Sequence, residues 1–92
     1  MYKKKDPKLE GTWVAGDISK ILIGENISFG GNVLLYSNAR IEIGDNSIIA
    51  FSTKFYTSTH DYNDHSMWYK VINRPITVGK HVWIGLNSIS LP

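Results

Sequence analysis

The sequence contains no cysteine. Disulfides and thiolate metal sites are therefore excluded as staples for the fold. It has no apolar run approaching the roughly 20 residues of a membrane span, and no signal-peptide core. A cytoplasmic protein is the default expectation. Charge imbalance is also small: ten Lys and Arg against eight Asp and Glu leave a net charge of +2. Lys3, Lys4 and Lys5 supply much of that excess. A dedicated nucleic-acid binder would carry a broader basic face, so that function class is disfavoured. At 92 residues there is no room for a second domain. Folding at this size buries only roughly 60–65% of the chain's surface. The composition, 42% apolar and 20% charged, is nevertheless that of a folded domain and not of a disordered tail.

What is present is a repeat. Ile21-Leu22-Ile23-Gly24-Glu25-Asn26, Ile41-Glu42-Ile43-Gly44-Asp45-Asn46 and Ile76-Thr77-Val78-Gly79-Lys80-His81 share one pattern. Each continues with a period of six. Bulky apolar residues recur at Ile23, Phe29 and Leu35. After a two-residue slip through Ile41 and Glu42 they recur at Ile43, Ile49 and Phe55. After a longer interruption come Val78 and Ile84, with Ser90 next. The following residue is often small, as at Gly24, Gly30, Gly44, Ala50, Gly79 and Gly85. The residue four after the bulky one is small or β-branched, as at Val33, Ser47, Thr53 and Ser88.

Period six excludes a helix, because positions six apart point about 120° away from each other on an α-helix. An isolated strand prefers period two. Period six with glycine fits a polygonal coil in which each hexad is a short strand plus a corner. The bulky residue points to the axis, and the small neighbour is expected to let the backbone bend. Stacked turns then form three parallel sheets around a dry core. An ordinary β-sandwich of short strands is the alternative, but its strands would alternate at period two with longer turns.

The pattern over residues 21–92 resembles the hexapeptide-repeat, left-handed parallel β-helix family. The fold implied is all-β, with about three coils and one extruded loop. Residues 1–22 form a leader, with Met1 to Glu10 polar and frayed and with Trp13, Val14, Ile18 and Ile21 as a partial capping turn. Residues 23–40 and 43–60 make two coils, 61–77 leave as an excursion, and 78–92 begin a third. Pro75 is placed to reset the chain before it rejoins the coil.

Tyr56-Thr57-Ser58-Thr59-His60-Asp61, then Arg74-Pro75-Ile76 and Val82-Trp83-Ile84-Gly85, narrow the resemblance. In this order and spacing they are similar to the coenzyme A-dependent acyltransferases, and within them to the O-acetyltransferases of sugars and serine. The resemblance implies acetyl-CoA as acyl donor and His60 as the catalytic residue. Removing a hydroxyl proton during attack on a thioester suits imidazole, which titrates near neutrality. It further implies that Trp83 and Gly85 lie against the coenzyme, and that Asn32 and Asn38 lie near a small hydroxyl acceptor. Asn is equally a usual corner residue. Two positions depart from that branch: Gly30, where it often carries Asn, and Leu86, where it carries a small or polar residue.

A metal site is disfavoured. The γ-class carbonic anhydrases share this coil and bind zinc through three His. Here His60, His65 and His81 have the five-residue spacing first, the reverse of that class. Family members also continue past Leu91-Pro92 with further coils that hold much of the coenzyme. The catalytic half is thus expected here and much of the coenzyme half is not. An inactive β-helix module acting as an oligomeric binding protein is therefore the alternative to an acetyltransferase. The family forms homotrimers with active sites between subunits, and the open coil end suggests end-to-end pairing as well.

Overall fold

The structure is a computed structural model that describes residues 7–60 and 71–92, with the side chains of Thr59 and His60 left aside. It is all-β, with two short 3-10 turns and no α-helix among the described residues. Sheet A holds β1 (Thr12–Gly16), β4 (Val33–Ser37), β7 (Lys54–Tyr56) and β12 (Ile89–Ser90) in that spatial order. Sheet B holds β2 (Ile21–Ile23), β5 (Ile41–Ile43) and β10 (Ile76–Val78). Sheet C holds β3 (Ser28–Phe29), β6 (Ile48–Ile49) and β11 (Trp83–Ile84). Every pairing in these three sheets is parallel. That excludes an ordinary β-sandwich, whose two sheets are antiparallel. The chain visits A, B and C in rotation, and each return lands one rung further along.

The hexad positions fall into columns. Ile23, Ile43 and Val78 share one in sheet B. Phe29, Ile49 and Ile84 share one in sheet C. Val14, Leu35, Phe55 and Ser90 share one in sheet A. Leu35, Ile41, Ile49 and Phe55 are fully buried, so these columns are the core. The leader adds a partial rung below. Val14 is buried there, whereas Trp13 faces out at 58% exposure. Pro7–Leu9 form a 3-10 turn that buries Leu9, so the polar leader does not end in frayed chain at Leu9. A second 3-10 turn, Ile18–Lys20, is capped by Asp17, whose carboxylate accepts from the Ser19 hydroxyl and amide. Those two bonds hold its pKa below the usual carboxylate value.

Buried hydroxyls stitch the rungs together. Ser47 Oγ donates to Gly79 O at 3.1 Å and accepts from Val82 N at 3.2 Å. Thr53 Oγ1 reaches Ala50 O at 2.9 Å and Gly85 O at 3.2 Å. No buried side-chain polar atom among the described residues lacks a partner, as burial requires.

The glycines after the bulky residues serve a different end from the one expected. Gly30 and Gly44 do not adopt positive φ. A Cβ on Gly44 would lie 2.7 Å from the carbonyl carbon of Gly79, and one on Gly30 would lie 2.6 Å from Phe51 N. Glycine is needed there for close approach of the next rung, not for bending. The left-handed backbone is carried instead by Asn26, Asn46 and His81 at the B–C corner, and by Asn32, Ser52 and Asn87 at the C–A corner. Asn tolerates this conformation better than other non-glycine residues. Asn26 Nδ2 donates to Asn46 Oδ1 at 2.9 Å, which links two of these corners.

The corners are not equivalent. From sheet B to C and from C to A the chain advances one hexad in every rung. From A to B it takes more, from Leu35 to Ile43 and from Phe55 to Val78. The slip and the interruption seen in the sequence both lie at the A–B corner.

Candidate active site at the A–B corner

At the end of β7 the chain leaves sheet A and enters an antiparallel hairpin of β8 (Ser58–His60) and β9 (Val71–Asn73). Ser58 pairs with Asn73, and His60 with Val71. His60 is therefore the last residue of β8, four positions beyond the end of β7. Residues 61–70 of the excursion, His65 among them, lie outside the described residues. The chain is back in sheet B at Ile76.

The neck of this hairpin is fastened to the coil. Arg74 N donates to Thr57 O at 2.8 Å. The Thr57 hydroxyl is fully buried and donates to Tyr36 O at 2.7 Å. It also accepts from Asn38 N at 3.0 Å and Ala39 N at 3.1 Å. Thr57 thus closes the corner of the rung below while holding the exit of its own. Thr57→Val keeps the shape but strands the two amides, while Tyr36 O keeps the Thr57 amide as a donor. A buried group left unpaired costs about 1–3 kcal/mol, so a loss of about 2–3 kcal/mol is expected in urea unfolding.

A polar chain runs across the same neck. Lys20 Nζ donates to Asn38 O at 3.0 Å. Asn38 Nδ2 donates to Ser58 Oγ at 3.4 Å, and Ser58 Oγ donates to Asn73 Oδ1. Four residues from four separate segments meet here. The sequence reading singled out Asn38 and His60 but missed Lys20, Thr57, Ser58 and Asn73. Their partners lie 15 to 21 residues away, beyond any local pattern.

The other candidates lie elsewhere on the coil. Asn32 sits at the C–A corner with φ 52° and donates through Nδ2 to Ser52 Oγ at 3.2 Å. Asn32 and Asn38 flank opposite ends of β4, which puts them roughly 20 Å apart along the strand. Gly85 occupies the C–A corner of the upper rung, where its carbonyl accepts from Ser88 Oγ at 2.7 Å. Trp83 faces out from sheet C at 78% exposure, beside Ile48. Phe51, Leu86 and Ile89 extend that exposed apolar strip around the C–A corner. Asn38 thus shares the hairpin corner with His60, while Asn32 and Gly85 lie at the C–A corner two rungs apart and Trp83 lies on sheet C. Among the described residues no three His, Asp or Glu side chains gather as a metal site. No helix among them is long and apolar enough to cross a membrane.

The chain is 36% identical over 76 residues to nodulation protein L of Rhizobium meliloti, covering 75% of this chain and 42% of that protein. It is 30% identical over 73 residues to nodulation protein L of Rhizobium leguminosarum bv. viciae, covering 78% and 38%. A Dictyostelium discoideum protein, named provisionally as an acetyltransferase, is 31% identical over 74 residues, covering 78% and 38%. These similarities support an acetyltransferase family at modest identity. The chain spans about two fifths of the length of these relatives, 38% to 42%. No family model matches the chain, and no solved structure matches it significantly.

Proposed function

We propose that this chain carries the catalytic corner of a hexapeptide-repeat acyltransferase with a left-handed parallel β-helix and an extruded loop. The reaction is acetyl transfer from acetyl-CoA to a hydroxyl of a sugar or similar small acceptor. The observation that carries this is the fastened hairpin whose first strand ends on His60, leaving the coil at the one corner that is not a plain hexad.

His60 acts as general base. It takes the acceptor's hydroxyl proton as the oxygen attacks the thioester carbonyl. The tetrahedral intermediate collapses, the carbon–sulfur bond breaks, and the proton passes to the departing thiol. The acetyl group moves directly, so no enzyme nucleophile is needed. Neutral imidazole takes up that proton, and the imidazolium so formed returns it.

The distribution of the remaining candidates supports a site shared between copies. Trp83 on sheet C and Gly85 at the C–A corner both lie away from the hairpin neck. Trp83, Ile48, Phe51, Leu86 and Ile89 are each at least 51% exposed, a concentration of apolar surface that favours a protein partner. In a homotrimer the hairpin corner of one copy meets the C–A corner of the next. His60 of one copy then works on acetyl-CoA held along Trp83 and Gly85 of its neighbour.

The test is thiol release from acetyl-CoA with a panel of sugars. Release that requires an acceptor is expected. Mixing His60→Ala chains with Trp83→Ala chains should restore part of the activity that each lacks alone. Release that no hydroxyl compound stimulates would count against the transferase, and absence of restoration against the shared site.

A further inference from the structure

The A–B corner holds more positive charge than acyl transfer uses. Ile21 and Ile76 both pair with Ile41, so Lys20 and Pro75 flank Arg40 on neighbouring rungs, with Arg74 one residue further back. The bond from Ile76 N to Arg40 O, 2.9 Å, fixes this contact. Lys20, Arg40 and Arg74 thus occupy neighbouring backbone positions on three segments. Two acids stand nearby: Asp17, whose pKa Lys20 helps to lower, and Glu42, 3.9 Å from Arg40 Nε. Arg74 is exposed and forms no ion pair with a described residue. Three cations against two acids leave one positive charge at this corner for an anion to neutralise.

The outer face of sheet A leads into the same corner. Tyr36 and Tyr56 are neighbours on adjacent rungs, with ring centroids 6.0 Å apart and planes tilted by 57°. Two residues on from each come Asn38 and Ser58, joined by the polar chain of the neck. An aromatic ledge bordered by an amide and a hydroxyl is the chemistry that holds a sugar ring. Guanidinium groups beyond it suit an oxyanion, which they bind through paired, charge-assisted hydrogen bonds.

We propose that this corner is the acceptor subsite and that it selects a pyranose bearing an oxyanion substituent, a carboxylate or a phosphate. The ring lies along Tyr36 and Tyr56, its hydroxyls meet Asn38 and Ser58, and the oxyanion meets Arg40 and Arg74. The link to catalysis rests on the transferase reading; the binding does not need acetyl-CoA.

The test is titration of the full chain with glucose, glucuronate and glucose 6-phosphate, followed by NMR amide shifts without acetyl-CoA. At least one anionic sugar should bind about tenfold tighter than glucose, and added salt should erode the difference. The tighter of the two identifies carboxylate or phosphate as the substituent. Arg74→Gln and Arg40→Gln, both at exposed positions, should each weaken the anionic ligand about fivefold and leave glucose unchanged. Lys80→Gln removes an exposed cation at the B–C corner, outside the subsite, and should change none of the three. Equal binding of glucose, no binding at all, or indifference to both arginine variants overturns the proposal. Anion-selective binding without thiol release from acetyl-CoA would leave the subsite standing and remove the transferase reading. Transfer to neutral sugars with a KM insensitive to Arg74→Gln would do the reverse.

Discussion

His60→Ala is expected to lower acetyl transfer by a hundred- to ten-thousandfold, the usual contribution of a positioned general base. Binding of acetyl-CoA should be unchanged, because the coenzyme is assigned to Trp83 and Gly85 at another corner. The backbone argues that this variant folds. His60 holds its place through its strand pairing with Val71, which alanine preserves. The neck is fastened by Thr57, Ser58 and Asn73, none of which is altered. A His60→Ala chain with wild-type unfolding behaviour and wild-type transfer would remove His60 from the chemistry. A chain that loses both transfer and coenzyme affinity would show that the two corners are not separate.

Phe55→Ala is expected to cost about 3–5 kcal/mol, the range for truncating a buried aromatic. A chain of this size has a total stability of only roughly 5–14 kcal/mol. Phe55 is fully buried in the sheet A column, with Leu35 below and the small Ser90 above. No large neighbour above it can collapse into the void. Phe51 offers the control. It is the same residue type four positions earlier, yet it is 52% exposed at the C–A corner. Phe51→Ala should change the urea midpoint far less, within the range of ordinary surface substitutions. Similar losses for the two would mean that the column assignment is wrong.

Much of the coil was legible because period six puts each bulky residue into one column. Ile23, Ile43 and Val78 were readable as equivalents before any pairing was known, and so were Phe29, Ile49 and Ile84. The reason for the glycines was not legible. A period shows that Gly44 is small; it does not show that Gly79 of the next rung presses on it. Leu9 was hidden by its polar neighbours, since one apolar residue sets no pattern. At the corner, His60 stood out only through the motif around it. Ser58 and Asn73 gave no signal, because their meeting depends on where the hairpin turns back. The motif string also places Trp83 and Gly85 near His60 in order, whereas the coil separates them onto different corners. That separation is what motivates a site between copies.

Calorimetric titration of the full chain with coenzyme A addresses the central claim most directly. Saturable binding is predicted, weakened by Trp83→Ala and indifferent to His60→Ala. No saturable heat at millimolar coenzyme A would contradict the acyltransferase account and leave a β-coil that binds no acyl donor.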